Sequence, residues 1–128
     1  MSYLVDTNAW IAFFEDSPKL SNAAAEILES AEVQCYVSIA SIWEAAIKVG
    51  IGKLQLPYDL KTGLPGILED CGFELLPVEL DDVVLAKDLE AVHGDPFDRI
   101  QVIQAQRRGL RIISRDPVFE RYGLRRVW

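Results

Sequence analysis

The chain is predicted to be an α/β protein with a mostly parallel sheet covered by helices on both faces, and three observations support this. Apolar runs of strand length alternate with stretches of helical periodicity along all 128 residues. The connections between them are short, as helical crossovers between parallel strands require. Two of the runs, Tyr3-Leu4-Val5 and Leu110-Arg111-Ile112-Ile113, lead into acids, Asp6 and Asp116. In open α/β sheets the crevice at the carboxyl ends of the strands is where ligands bind.

Tyr3-Leu4-Val5 is the first strand, and Ala9-Trp10-Ile11-Ala12-Phe13-Phe14 restarts the apolar pattern in a form a helix can use. Between them, Asp6 either caps the helix or stands at the mouth of a site. Thr7 and Asn8 suit a helix start, where unpaired backbone N–H groups favour anions. Ser17-Pro18 marks a turn, and Ala23, Ala24, Ile27 and Leu28 give a second helix. Residues 33–37 alternate and carry branched side chains, so they form a second strand ending near Ser38. A third helix from about residue 40 to 49 has the apolar stripe Ile39, Ile42, Trp43, Ala46 and Ile47, and Gly50 and Gly52 end it. Glu44 lies inside this largely buried helix, either at a site or paired with Lys48 one turn on.

Residues 52–57 form a loop and residues near 60–71 a fourth helix, irregular at its start because of Gly63, Pro65 and Gly66. Residues 73–78 are a third strand closed by Pro77. Asp81-Asp82 caps a fifth helix, with Val84, Leu85, Leu89 and Val92 on related faces up to His93-Gly94. Asp95 caps a sixth helix that Pro96 opens and Gly109 ends. Residues 110–114 are the fourth strand. Arg115-Asp116-Pro117, a short helical turn and a small strand at 124–128 complete the order.

The length is that of one domain with one core. A composition of 50% hydrophobic and 26% charged residues, without repeats or low-complexity tracts, excludes disorder. No apolar stretch reaches the ~20 residues of a membrane span and no secretory leader is visible, so a cytoplasmic protein is expected. Cys35 and Cys71 fit no metal or disulfide pattern and read as reduced thiols. The net charge of −7 conceals a division: residues 1–98 carry 18 acids and five lysines, −13, while residues 99–128 carry all eight arginines and two acids, +6. These arginines either pair with the acidic body or, as a group, meet an anionic partner.

Four carboxylates ask for a common explanation: Asp6 and Asp116 at strand ends, Glu44 inside the third helix and Asp98 at the start of the sixth. Packed together they repel, and hard divalent cations make the cluster tolerable. Oxygen ligands without His or Cys point to Mg²⁺ or Mn²⁺, and to metal-assisted phosphodiester hydrolysis. The motifs Leu-Val-Asp-Thr-Asn, Ser-Ile-Trp-Glu-Ala, His-Gly-Asp-Pro-Phe-Asp-Arg and Ser-Arg-Asp, in this order across the whole chain, resemble the PIN-domain ribonucleases, especially the VapC-like toxins of bacterial toxin–antitoxin pairs. Residues 48–57 also look like the loop after the third helix in one subgroup of these toxins.

The resemblance implies a three-layer α/β/α fold, a Mg²⁺-dependent endoribonuclease acting on RNA, a small antitoxin partner and a homodimer. It places metal ligands at Asp6, Glu44 and Asp98, with Asp116 completing a second site or orienting water, and Thr7, Asn8 and Ser114 as hydrogen-bonding support. Asp95 reads as a helix cap or an outer acid, Arg99 as pairing with an acid or meeting a phosphate, with the structural pair preferred, and His93 as a turn residue before Gly94 in preference to a general base. Two rivals remain. An aspartate-nucleophile phosphatase would want a second acid where Asn8 stands, and an inert binding module would keep the acids without the chemistry.

Overall fold

Among the described residues, 1–90 and 94–128 of a computed structural model, five strands lie side by side. They are β1 (Ser2–Val5), β2 (Gln34–Ser38), β3 (Glu74–Leu76), β4 (Arg111–Ile113) and β5 (Arg126–Val127), in the order β3-β2-β1-β4-β5. Every neighbouring pair is parallel. The chain leaves β1 toward β2 and β3 on one side, then returns to place β4 and β5 on the other. The strand order therefore reverses at β1, and the β1/β4 crevice is the position where such sheets bind ligands. Leu4 pairs with Ile112 and Val5 with Ile113, so the residues that follow the two strands emerge together.

Both faces of the sheet are covered, as the unbroken apolar character of β1 requires. Tyr3, Val5, Cys35, Val37 and Ile113 point to one side. They pack there with α1 (Thr7–Phe14), α2 (Asn22–Glu29), the inner face of α3 (Ile39–Gly50) and α4 (Leu64–Asp70). Leu4 and Ile112, one residue out of phase on the pleat, point to the other. There they meet Val102 and Ala105 of α6 (Pro96–Arg108) and Val118 and Phe119 of a 3₁₀ helix (Pro117–Tyr122). No helix among the described residues is long and apolar enough to cross a membrane.

Several local expectations change. The fifth helix, α5, spans Leu80–Ala86, not 81 to 93; its cap is Glu79, whose N–H donates to Asp82 at 2.9 Å. Val92 and His93 lie outside the described residues. The fourth helix starts at Leu64, because Asp59 accepts from the N–H groups of Lys61 and Thr62 and holds residues 59–62 in a turn. The apolar stripe of α3 is buried only in part: Ile42 packs against the core, whereas Ile39 and Ile47 are exposed and Trp43 is 62% exposed, because the side that meets the core runs through Ala45 and Ile42. On α5, Leu80, Val83, Val84 and Leu85 are also exposed. Gly109 ends α6 in the left-handed conformation (φ 65°), as expected of a C-cap glycine.

Candidate metal centre

Asp6 follows β1 and caps α1, and it also lines the open cleft at the strand ends. The Asp6 N–H donates to the Ile113 carbonyl at 2.9 Å, tying the end of β1 to the end of β4. Its carboxylate is buried and accepts four hydrogen bonds. Oδ1 takes the Thr7 N–H at 2.8 Å and Gln101 Nε2 at 2.9 Å; Oδ2 takes the Ser114 hydroxyl at 2.6 Å and Asn8 Nδ2 at 3.1 Å. The Arg115 N–H donates to Asn8 Oδ1, which fixes the Asn8 amide with its nitrogen toward Asp6. Burial pushes the Asp6 carboxyl up, with the Glu44 charge adding to it, against the lowering effect of the Ser114, Gln101 and Thr7 bonds.

Glu44 reaches the same point from α3, and the pairing with Lys48 is present alongside its approach to Asp6 and Asp98. Lys48 Nζ lies 3.0 Å from Oε2, one helical turn on, while the Thr7 hydroxyl donates to Oε1 at 2.7 Å. Behind Thr7 runs a buried chain: its Oγ1 lies 2.6 Å from Ser41 Oγ, which accepts from Trp10 Nε1 at 2.7 Å. An indole N–H only donates and a carboxylate only accepts. The two hydroxyls between them must therefore both point their protons toward Glu44.

Asp98 enters from the first turn of α6. Asp95 is the cap of that helix, its Oδ1 accepting from the N–H groups of Phe97 at 2.8 Å and Asp98 at 3.2 Å. A carboxylate in the first turn is also favoured by the helix dipole. One oxygen each of Asp6, Glu44 and Asp98 lie within 4.8 Å of one another. Asp116 is not in this group. It caps the 3₁₀ helix by accepting from the Val118 N–H at 3.0 Å, and it lines the same open cleft of about 740 Å³.

Sequence reasoning missed three members of this arrangement: Gln101, Ser41 and the Trp10 indole. Gln101 is fully buried, and its Oε1 has no hydrogen-bond partner among the described residues. A glutamine in the apolar run of α6, one turn after Asp98, was the available signal. Ser41 likewise precedes Glu44 by one turn of α3.

The arginines divide. Arg107 and Arg108 clasp the buried Asp82 at 2.7 and 3.1 Å, Arg108 also bonds Glu79, and Arg126 bonds Glu120 at 3.1 Å. Arg99 donates to the carbonyls of Ala86, Leu89 and Glu90 around the end of α5. Arg115 instead lines the cleft.

The donor set fits a hard divalent cation. One carboxylate oxygen each from Asp6, Glu44 and Asp98 lie within 4.8 Å of one another, close enough for all three residues to turn an oxygen toward a single small ion that prefers oxygen ligands. The set contains no sulfur or imidazole that would favour zinc.

Comparisons with known proteins agree with this fold. A VapBC2 complex of Rickettsia felis bound to a promoter DNA fragment superimposes with a TM-score of 0.68 at 16% identity, covering 99% of this chain and 98% of the other. FitAB bound to the IR36 DNA fragment gives 0.63 at 15% identity over 99% and 94%. FitAcB of Neisseria gonorrhoeae gives 0.62 at 20% identity over 100% and 97%. Among curated proteins no sequence matches. The PIN domain family model matches residues 3–124, nearly the entire chain including all four acids singled out above, and the chain belongs to the PIN domain family.

Proposed function

We propose that the chain is the toxin of a toxin–antitoxin pair, a divalent-metal-dependent endoribonuclease that hydrolyses RNA phosphodiester bonds to leave a 5′-phosphate and a 3′-hydroxyl. One observation carries this reading: carboxylates from β1, α3 and α6 converge within 4.8 Å at the crevice where the strand order reverses. Asp6, Glu44 and Asp98 would hold the ion, and Mg²⁺ or Mn²⁺ bound there supplies Lewis acidity to the phosphodiester and to the attacking water. The residues around them orient rather than react. Thr7 fixes one oxygen of Glu44; Ser114, Asn8 and Gln101 fix Asp6. Asp116, which lines the same cleft, would orient a water or complete a second ion site.

The assembly reading rests on two supports. One similar solved structure is a toxin–antitoxin complex from Klebsiella pneumoniae, which motivates a small antitoxin partner. The bare apolar faces of α3 and α5, on the two helices that flank α6, call for cover, and a second copy of the chain would supply it. The protein then works as one PIN domain per chain in the cytoplasm, where RNA and antitoxin are met.

The nuclease reading is tested by incubating structured RNA with the wild-type protein and with Asp6→Asn, with and without Mg²⁺ or Mn²⁺. Cleavage that needs the ion and is lost in the variant is expected. Equal cleavage by both proteins would end the assignment.

A further inference from the structure

The cleft around the triad holds four cations, Lys19, Lys48, Lys53 and Arg115, against six carboxylates, a formal charge of −2. Among the described residues only Lys48 of these four is ion-paired to a triad member, and the pairing occupies Glu44 Oε2 while Thr7 occupies Oε1. Both Glu44 oxygens thus already have donors before any ion arrives. The donors differ in kind. The Thr7 hydroxyl is anchored in the buried chain from Trp10 and Ser41, whereas the Lys48 ammonium sits on a flexible stem with its side chain 48% exposed. If one must yield, it is the ammonium.

We propose that Lys48 is a resident counter-cation of the acidic cage, which holds Glu44 in the ion-free protein, yields that carboxylate to the divalent ion, and then binds a phosphate of the RNA beside the cut. The second half rests on the nuclease reading above. A half-exposed lysine one turn from its glutamate makes a weak pair, so release costs little. An ammonium left among the ligands would repel the ion. One divalent ion brings the cleft to formal neutrality, and each incoming phosphodiester then needs a cation of its own. Lys53 is held on the same rim, because its N–H and that of Leu54 donate to the Lys48 carbonyl at 2.9 and 3.2 Å around Gly52, whose φ of 76° allows the turn. Arg115 lines the cleft from the β4 side. The motif at 48–57 thereby acquires a role: it carries two lysines to the rim of the acid cluster.

Lys48→Met and Lys48→Arg test the exchange, with thermal melts to verify folding. In calorimetric titration with Mn²⁺, Lys48→Met is expected to bind about three- to tenfold more tightly than wild type, the effect of removing one adjacent positive charge at a wet site. With a single-stranded RNA substrate the same variant should raise KM more than it lowers kcat. Its plot of log kcat/KM against log salt should be shallower by about 0.7, one phosphate contact fewer on a single strand. Lys48→Arg should restore that slope.

Unchanged or weaker Mn²⁺ binding by Lys48→Met would overturn the exchange. An unchanged salt slope would overturn the phosphate contact. Wild-type protein that binds Mn²⁺ and cuts no RNA would sink the nuclease reading and the phosphate contact together, while the calorimetry still decides the exchange at Glu44.

Discussion

Thr7→Val is the sharpest probe of the buried chain behind the site. Valine keeps the branched shape and removes one hydroxyl, which donates to Glu44 Oε1 at 2.7 Å and accepts from Ser41. A hydrogen bond to a charged group contributes about 1.5–3 kcal/mol. Because the Glu44 side chain keeps 13% exposure and can partly rehydrate, the low end of about 1.5–2 kcal/mol applies. For a chain of this size that lowers Tm by about 5–8 °C. Removing an outer partner of a metal ligand also weakens metal binding by about 10- to 100-fold.

Melting curves and Mn²⁺ calorimetry read both effects, with Thr7→Ser as the variant that keeps the hydroxyl. Since the Ser41 proton must point at Thr7, Ser41→Ala should cost less in the Thr7→Val background than in wild type, with a coupling of about 1 kcal/mol. Additive energies, or wild-type Mn²⁺ affinity in Thr7→Val, would refute the polarised chain.

Two further outcomes are expected. Asp82, buried on α5, is desolvated, which raises its carboxyl, but the Arg108, Glu79 N–H and Arg107 bonds outweigh this and hold it below the usual carboxylate range. Its stabilisation is therefore complete above the unfolded pKa of about 3.9 and fades as pH falls through the folded value. Asp82→Asn should cost about 3 kcal/mol at pH 7, the low end for a broken buried pair because both guanidiniums reach solvent; melts from pH 7 to 3 should find that gap narrowing with acid. If the bare face of α3 is covered by a second copy, Trp43→Asp should turn a dimer into a monomer in light scattering while leaving Mn²⁺ binding in place. The same mass for both proteins would remove Trp43 from the interface.

The parts of this molecule that were legible in the sequence are those written in local chemistry. The strand-end acids, the Asp95-Pro96 helix start and the Gly109 cap follow from backbone preferences of single residues, and each sits where those preferences put it. The acids at the ends of the first and fourth strands could meet only if those strands were neighbours, and the observed parallel register of β1 with β4 brings Asp6 and Ser114 together through Val5 and Ile113. Periodicity failed where burial is decided by tertiary neighbours. The apolar stripe of α3 has the pattern of a core-facing helix, yet the core takes only the edge with Ala45 and Ile42 and leaves Trp43 outside, touching Phe97 edge to face at 5.0 Å. Length also misled in α5, where the apolar residues after Asp82 imitate a longer helix than the one that forms. Gln101 and Ser41 escaped notice because a polar residue inside an apolar helix stands out only once its partner, ninety-five residues away in the case of Gln101 and Asp6, is known.

The hydrogen bonds around Asp6 also bear on how an acidic cage can be built before its ion arrives. The Asp6 carboxylate accepts hydrogen bonds from Thr7, Gln101, Ser114 and Asn8. Three of those donors belong to the strand-end segments of β1 and β4, and the fourth to α6, which also carries Asp98. The groups that neutralise Asp6 locally are therefore the same elements that set its distance from the other acids. Repulsion within the triad acts against this shell of donors and against Lys48, so the cage can be ordered by folding, in contrast to sites whose ligands assemble only around a metal. The Gln101 amide is turned to give Asp6 a donor from the same helix that carries Asp98, and among the described residues its own Oε1 has no hydrogen-bond partner.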